Sequence, residues 1–281
     1  MVICSFRSRR SIVRRFVVIG ADSATGSVLL DRLGRNQDVI GIPLEDADCF
    51  AGMCSDVTDA VYCGNAAISS WDPEFGDPDT DLCLLPAYCR VAAGAGVRLI
   101  HISTDAVFDG PWIFHDEDSP PSCDSAQSRK LRKLEDCVLN LPCGLVVRTN
   151  TLGVSEGTFV NLLRQHLNDA QAWTLPSHLY ATPLAAARFA RLLEPVLLTD
   201  ATGILHVAGA ERLTPWSFAI RLAATKSHDR TLLRAQPCLQ PREQSLRCSR
   251  ALLEFRLRMP TISQTLDDLN ESVALSQRQA A

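Results

Sequence analysis

The chain has 281 residues, 46% of them hydrophobic, enough for one large α/β domain or two small ones around a sizeable core. A net charge of −4 argues against a general nucleic-acid binder, and no apolar run approaches the roughly 20 residues of a membrane span, so neither nucleic acid nor a membrane is expected as a partner. The eleven cysteines stand singly with no Cys-x-x-Cys pair, so neither a zinc site nor a thioredoxin-like motif is indicated, and the odd count without a convincing secretory signal fits a reducing, cytoplasmic setting.

Residues 1–15 carry Arg7, Arg9, Arg10, Arg14 and Arg15 and read as a loose basic arm, with a targeting role as the alternative. The apolar run over 16–20 predicts a first strand. A turn, Gly20-Ala-Asp-Ser-Ala-Thr-Gly26, then leads into a helix through Val28, Leu29, Leu30 and Leu33. Further strands are predicted over 38–42, 60–63 and 97–103, and a helix over 79–95. Strands alternating with helices at this spacing imply βαβ units, a parallel sheet and a doubly wound, Rossmann-type α/β fold. Next come an acidic loop over 109–124 and a helix over 125–139. That helix has an apolar stripe of Leu131, Leu134, Val138 and Leu139, with Lys130, Arg132 and Lys133 also on it. A strand over 144–149, a helix over 159–167 and a loop over 174–183 follow. The remainder reads as a helix over 184–198, a strand over 203–207, and helices over 215–224, 249–257 and beyond Pro260.

Two stretches carry candidate chemistry. In parallel sheets ligands bind beyond the carboxyl ends of the strands. Ser103, Thr104 and Asp105 stand at such an end, although polar residues there also serve as plain turn formers. The turn after the first strand has the place of a dinucleotide loop, where helix N–H groups and the helix dipole meet a pyrophosphate. Gly20 and Gly26 fill the first and third glycine positions, and Ser23 occupies the second, where a Cβ and a hydroxyl weaken the approach of a phosphate. The alternative is a βα turn that binds nothing. His115, Asp116, Glu117 and Asp118 read as a solvated acidic loop rather than a metal or acid–base site. His101 and His206 read as satisfied core or edge histidines. His178 and Tyr180 lie in a later loop that touches a ligand or packs, and Trp112 is placed to cover the cleft.

Together several motifs resemble one family. Ile102-Ser-Thr-Asp-Ala-Val-Phe-Asp-Gly110 is similar to the S-T-D-Y-V-F-D-G signature of dTDP-4-dehydrorhamnose reductases, which are extended short-chain dehydrogenases. Glu117-Asp-Ser-Pro120, Leu145-Val-Val-Arg-Thr149, Ala181-Thr-Pro183, Gly203-Ile-Leu-His-Val-Ala-Gly209 and the stretch Pro241-Arg242 to Ser245-Leu246 resemble further family motifs. The resemblance runs from Phe16 to the last helix. It implies an NAD(P)-binding domain over 16–150, completed by 184–208, and a substrate lobe over 151–183 and 209–281. It also implies NADP or NAD as cofactor and a nucleotide-sugar-like small molecule as ligand, with a protein partner or a homodimer as further expectations. Family chemistry is hydride transfer to a 4-keto sugar, assisted by a Tyr-x-x-x-Lys pair one helical turn apart. By resemblance, catalysis falls to Thr104 and Lys130 with Ser103 beside them. Cofactor binding falls to Gly20, Ser23, Thr25, Gly26, Ser103 and Lys130, and substrate binding to Asp105, Ala106, Val107 and Tyr180.

The family tyrosine is absent. Aligned from Glu117-Asp-Ser-Pro120, its position is Ala126 with Lys130 as the lysine; shifted by three, it is Arg129 with Lys133. The signature aromatic is Ala106, and an acidic position in the helix over 184–198 is Arg188. The expectation is therefore a divergent, reductase-like NAD(P)-binding protein whose ordinary turnover is in doubt. The alternatives are a non-catalytic dinucleotide- or sugar-nucleotide-binding regulatory subunit, or a scaffold with altered chemistry such as epimerisation or dehydration.

Overall fold

The computed structural model describes residues 14–75, 78–238 and 240–280; the expected basic arm falls outside them over 1–13. Chain order begins β1 (Arg15–Ile19), α1 (Ala24–Gly34), β2 (Asp38–Ile42), α2 (Ala47–Met53), β3 (Asp59–Tyr62), α3 (Asp79–Ala95), β4 (Arg98–Thr104), α4 (Ala126–Leu139) and β5 (Leu145–Thr149). It continues β6 (Thr151–Leu152), α5 (Phe159–Asn168), β7 (Trp173–Pro176), β8 (Leu179–Tyr180), β9 (Leu184–Ala185), α6 (Ala186–Leu197), β10 (Gly203–His206) and α7 (Pro215–Thr225). The chain closes with β11 (Leu233–Gln236), β12 (Arg242–Glu243), α8 (Ser249–Leu253) and α9 (Ile262–Ala280).

Six strands form one parallel sheet in the order β2-β1-β3-β4-β5-β10. The connection after β1 runs to β2 on one side, and the connection after β3 runs to β4 on the other, so the directions part between the neighbours β1 and β3. This is the switch point at which a doubly wound sheet opens a crevice beyond its strand ends. Side chains alternate faces with period two. Phe16, Val18, Val61, Ile100, Ile102 and Val147 pack toward Leu29 and Leu33 of α1 and Phe189 and Leu193 of α6. Val17, Ile19, Ala60, Tyr62, Leu99 and Val146 pack toward Leu85 and Tyr88 of α3 and Leu134 and Val138 of α4. Burial on both faces explains why these strands read as continuous apolar runs.

A second core joins Phe159 and Leu163 of α5, Phe218 and Leu222 of α7, and Ile262, Leu266 and Leu269 of α9. Around it the chain makes three short parallel pairs, β6 with β9, β7 with β11 and β8 with β12. The sequence offered only a loop over 174–183, because strands of two to four residues carry no readable alternation. The first two residues of the helix expected from Leu184 belong to β9 instead. The unexpected helix α2 buries a single residue, Phe50, so it shows no apolar stripe; Asp46 caps it by accepting from the Cys49 N–H at 3.0 Å. The helix expected to reach Leu257 stops at Leu253, and Arg256 beyond it takes a positive φ of 53°.

The cysteines among the described residues are all free. Cys63 is buried, Cys137 is half-buried, and Cys83 is exposed. No helix among the described residues is long and apolar enough to cross a membrane.

Candidate functional site

The glycine turn is built as its sequence requires. Gly20 ends β1 at φ +74°, and a Cβ there would stand 2.4 Å from the Cys63 carbonyl oxygen. A Cβ on Gly26 would stand 2.0 Å from the carbonyl oxygen of Gly20. Both glycines therefore serve the close approach of α1 to the ends of β1 and β3. Ser23 is the N-cap of α1. Its Oγ accepts from the Gly26 N–H at 3.0 Å and donates to the Gly20 carbonyl at 2.8 Å. The hydroxyl thus takes one of the four helix N–H groups that have no partner within a helix. Thr25 turns inward, donating to the Ala67 carbonyl at 3.0 Å and meeting Thr151 Oγ1 at 3.1 Å. Between this turn and the segment after β3 lies a crevice of about 20 Å³, lined in part by Ser23, Thr25, Ser69, Asp72 and Gly153. That is room for about one water.

At the end of β4, Ser103 and Thr104 are both buried. Ser103 Oγ donates to Glu135 Oε1 at 2.7 Å, and that carboxylate also receives Arg148 at 2.9 and 2.7 Å. Ser103 is thereby part of a buried ion pair. Thr104 Oγ1 accepts from the Ala106 N–H at 3.2 Å and lies 3.3 Å from Asp105 Oδ1. Asp105 is fully buried, and its Oδ2 accepts from Asn150 Nδ2 at 3.0 Å. Burial pushes this carboxyl up to about 7, against the opposing pull of its Ser70, Asn150 and Thr104 partners. Asn150 extends the network: its Oδ1 accepts from Ser69 Oγ at 2.6 Å, and its Nδ2 donates to Ser70 Oγ at 3.0 Å. The ends of β4 and β5 and the segment after β3 are thus bonded to one another. Ala106 and Val107 belong to the core beside Phe108 and Leu131.

Helix α4 begins at Ala126, an exposed position after the N-cap Ser125, which accepts from the Ser128 N–H at 3.0 Å. Leu131, Leu134 and Val138 pack toward the sheet, as the apolar stripe predicts, and Glu135 on the same side bonds Ser103 of β4. Lys130 lies on the neighbouring face, where Nζ meets Asp79 Oδ1 of α3 at 2.7 Å. Arg129, the alternative tyrosine position, is exposed and bonded to Asp124. No tyrosine replaces the missing one. Tyr62 and Tyr88 lie in the core on the α3 side of the sheet, donating to Asp81 and to the Leu44 carbonyl. Burial raises both phenols, that of Tyr88 to about 12. Tyr180 stands on β8 with Arg212 stacked 3.4 Å from its ring centroid, and Arg212 is paired to Glu243 of β12. Gly110 donates to the Glu243 carbonyl at 2.9 Å, so Tyr180 is placed near the loop that follows Thr104.

Several expectations change here. His115 and Glu117 are not solvated: His115 stacks on Phe108 at 4.1 Å, and Glu117 accepts from the N–H groups of His206 and Arg250. His101 is fully buried with neither ring nitrogen hydrogen-bonded, and His206 bonds only through Nδ1, to the Arg247 carbonyl. Trp112 is 69% exposed and covers no cleft. Arg188, with Arg191, pairs with Asp268 of α9. A larger cavity of about 620 Å³ lies between α1, α6 and α9, and none of the strand-end residues 103–107 lines it. It meets the small crevice at Ala24 and Gly153. Because its arginines are tied to Glu194, Asp31 and Asp268, we place the candidate chemistry at the strand ends and not in this larger space. Asp72, Asp79, Glu135 and Asn150 were not singled out from sequence. Only Glu135 left a trace, as a charge one turn beyond Leu131 on an apolar stripe.

The profile of the family described as RmlD substrate binding domain matches residues 85–276. A dTDP-4-dehydrorhamnose reductase from Bacillus anthracis, solved in complex with NADP, superposes with a TM-score of 0.80 at 16% identity, covering 92% of this chain and 99% of that one. One from Clostridium acetobutylicum gives 0.76 at 19%, covering 94% and 99%. A dTDP-glucose 4,6-dehydratase from B. anthracis, in complex with NAD, gives 0.78 at 14%, covering 94% and 98%. At these identities the likeness is one of fold. No curated protein matches the chain.

Proposed function

Because the chain belongs to the RmlD substrate binding domain family, we propose that it is a reductase-like protein that binds NAD(P) and a nucleotide sugar or related carbonyl compound, without the tyrosine-dependent turnover of dTDP-4-dehydrorhamnose reductases. Support for the dinucleotide comes from the β1–α1 turn, whose two glycines keep the helix N-terminus aimed at the crevice. The N–H groups of Ala24 and Thr25, which precede the first intrahelical bond, would meet the pyrophosphate. Glu45, in a stretch over 43–46 without lysine or arginine, suits the free 2′-hydroxyl of NAD better than a 2′-phosphate. Bound NAD(P)H would supply a hydride.

One observation carries the second half of the reading: Lys130 is held by Asp79, and position 126 has no phenol. The ketone oxygen therefore lacks its usual proton donor, an absence worth about 10²–10⁴-fold in rate. The bonded strand end favours a subunit that senses a dinucleotide or sugar nucleotide over one with altered chemistry. Calorimetric titration with NADH and NADPH, beside an assay of the oxidation of each with a dTDP-4-keto-6-deoxysugar, tests this. Binding of at least one dinucleotide without oxidation is expected. Rapid oxidation would overturn the catalytically silent reading, and failure of both dinucleotides to bind, in the unaltered chain and in the variants described below, would overturn the cofactor assignment.

A further inference from the structure

One segment forms a wall of the crevice at the glycine turn. Residues 68–75 follow β3 and the turn after it, and Ile68, Ser69 and Asp72 line the crevice. The segment is tied down at three places. Ser69 and Ser70 bond to Asn150 at 2.6 and 3.0 Å. Asp72 Oδ1 accepts from the Phe159 N–H at the start of α5 at 2.7 Å. Trp71 is wedged edge-on between Phe159 and Phe218, with ring centroids 5.6 and 5.8 Å away. Each tie reaches the chain beyond β5, so the segment straps the second lobe to the sheet across the place a dinucleotide would enter.

Two features mark this closed arrangement as easily left. Trp71 Nε1 is buried without a hydrogen-bond partner, a defect that exposure to water removes. The Asp72 carboxyl is pushed up to about 6 by burial, so its ionised form also gains from exposure. By contrast, Ala66 and Ala67 just before the strap are held firmly, with Asp81 Oδ2 accepting from the Ala66 N–H at 3.1 Å and Thr25 bonding the Ala67 carbonyl. The chain thus passes from a firmly held strand end into a strap that carries two poorly satisfied polar groups.

We propose that residues 68–75 form an autoinhibitory strap, and that a dinucleotide enters the crevice only after Trp71 and Asp72 leave their seats on α5 and α7. The inference rests on the dinucleotide reading given above. When the competent state is a minor one, apparent affinity falls by its fractional population. A strap open about a tenth of the time or less costs about tenfold or more in affinity.

The test is NADH titration by calorimetry of the full chain, Trp71→Ala and Asp72→Ala, with amide hydrogen exchange over 68–75 on each. Asp72→Ala is the gentler change, should the loss of Trp71 unfold the lobe. The expected result is faster exchange in the strap and NADH binding at least about tenfold tighter in the variants. NADH should also accelerate exchange over 68–75 in the unaltered chain. Equal NADH affinity in all three proteins, with the strap shown by exchange to be loosened, overturns the strap and leaves the dinucleotide reading standing. No binding in any of them, with the strap loosened, overturns both.

Discussion

Glu135 holds more of the site together than any residue named from sequence. Its carboxylate receives Arg148 twice and Ser103 once, and both ion-pair members are almost wholly buried. Removing one partner leaves the other charge buried, at about 3–5 kcal/mol. Chemical denaturation of Glu135→Ala should show a loss of that size, and Ser103→Ala only about 1 kcal/mol. If Ser103→Ala costs as much, the serine is more than an accessory to the pair. Asp105 makes a pH prediction. Its folded value of about 7 lies above the ordinary 3.8, so the folded state holds the proton more tightly. Stability from this group is present at low pH and falls as pH rises from about 4 to 7, at about 1.4 kcal/mol per unit. His206, depressed to about 3 by burial and Arg148, acts in the opposite sense over much of that window. The clean measurement is therefore a difference: Asp105→Asn should gain on the unaltered chain as pH is raised from 4 to 8. A difference that stays constant would show that Asp105 does not titrate there. At this scale the sequence was legible for Ser103, Thr104 and Asp105 as a strand end. Their partners Glu135, Asn150 and Ser70 come from three other elements, and no local spacing announces them.

Helix α1 shows how an element can keep a motif's shape and alter its use. Gly20 and Gly26 place the helix where a phosphate loop stands, while Ser23 caps the helix with its own hydroxyl. Replacing an N-cap serine by glycine costs only a few tenths of a kcal/mol. Ser23→Gly should therefore leave the melting temperature nearly unchanged, free the Gly26 N–H and tighten NADH binding severalfold in a calorimetric titration. Unaltered affinity would show that the cap does not compete with the ligand. Helix α4 shows the limit of reading an element from its stripe. The spacing placed Lys130 one turn after Ala126, and both positions are on the helix as expected. Which face meets the sheet is settled by packing. Leu131, Leu134, Glu135 and Val138 take that face, and Lys130 is turned to Asp79. For this reason Ala126→Tyr alone should restore no NADPH oxidation.

Across the whole molecule, the strand–helix alternation made the six-stranded sheet readable almost residue for residue. Burial on both faces leaves apolar runs that composition alone reveals. The second lobe was legible only as helices, since its strands are too short to alternate. Its attachment was not legible at all. Arg188 and Arg191 of α6 grip Asp268 of α9, a carboxylate 5% exposed, across about 80 residues of sequence. Asp268→Ala leaves two cations facing each other, and the C-terminal helix should exchange its amides faster than the central sheet. Uniform exchange across both would show that the lobes open as one unit.

The place of β10 has a consequence for how the protein is made. It pairs with β5, yet it comes more than fifty residues later, after β6, α5, the strands β7 to β9 and α6. During synthesis β5 is therefore an open edge, apolar on both faces, until residue 206 has left the ribosome. An unpaired apolar edge invites pairing with other chains, and non-local strand pairing is slow. A nascent chain halted before Gly203 should sediment as aggregate or be held by chaperones. One halted after β10 should aggregate less, its remaining apolar surface being the second core that awaits α7 and α9, which makes the last strand of the sheet a checkpoint of its biogenesis.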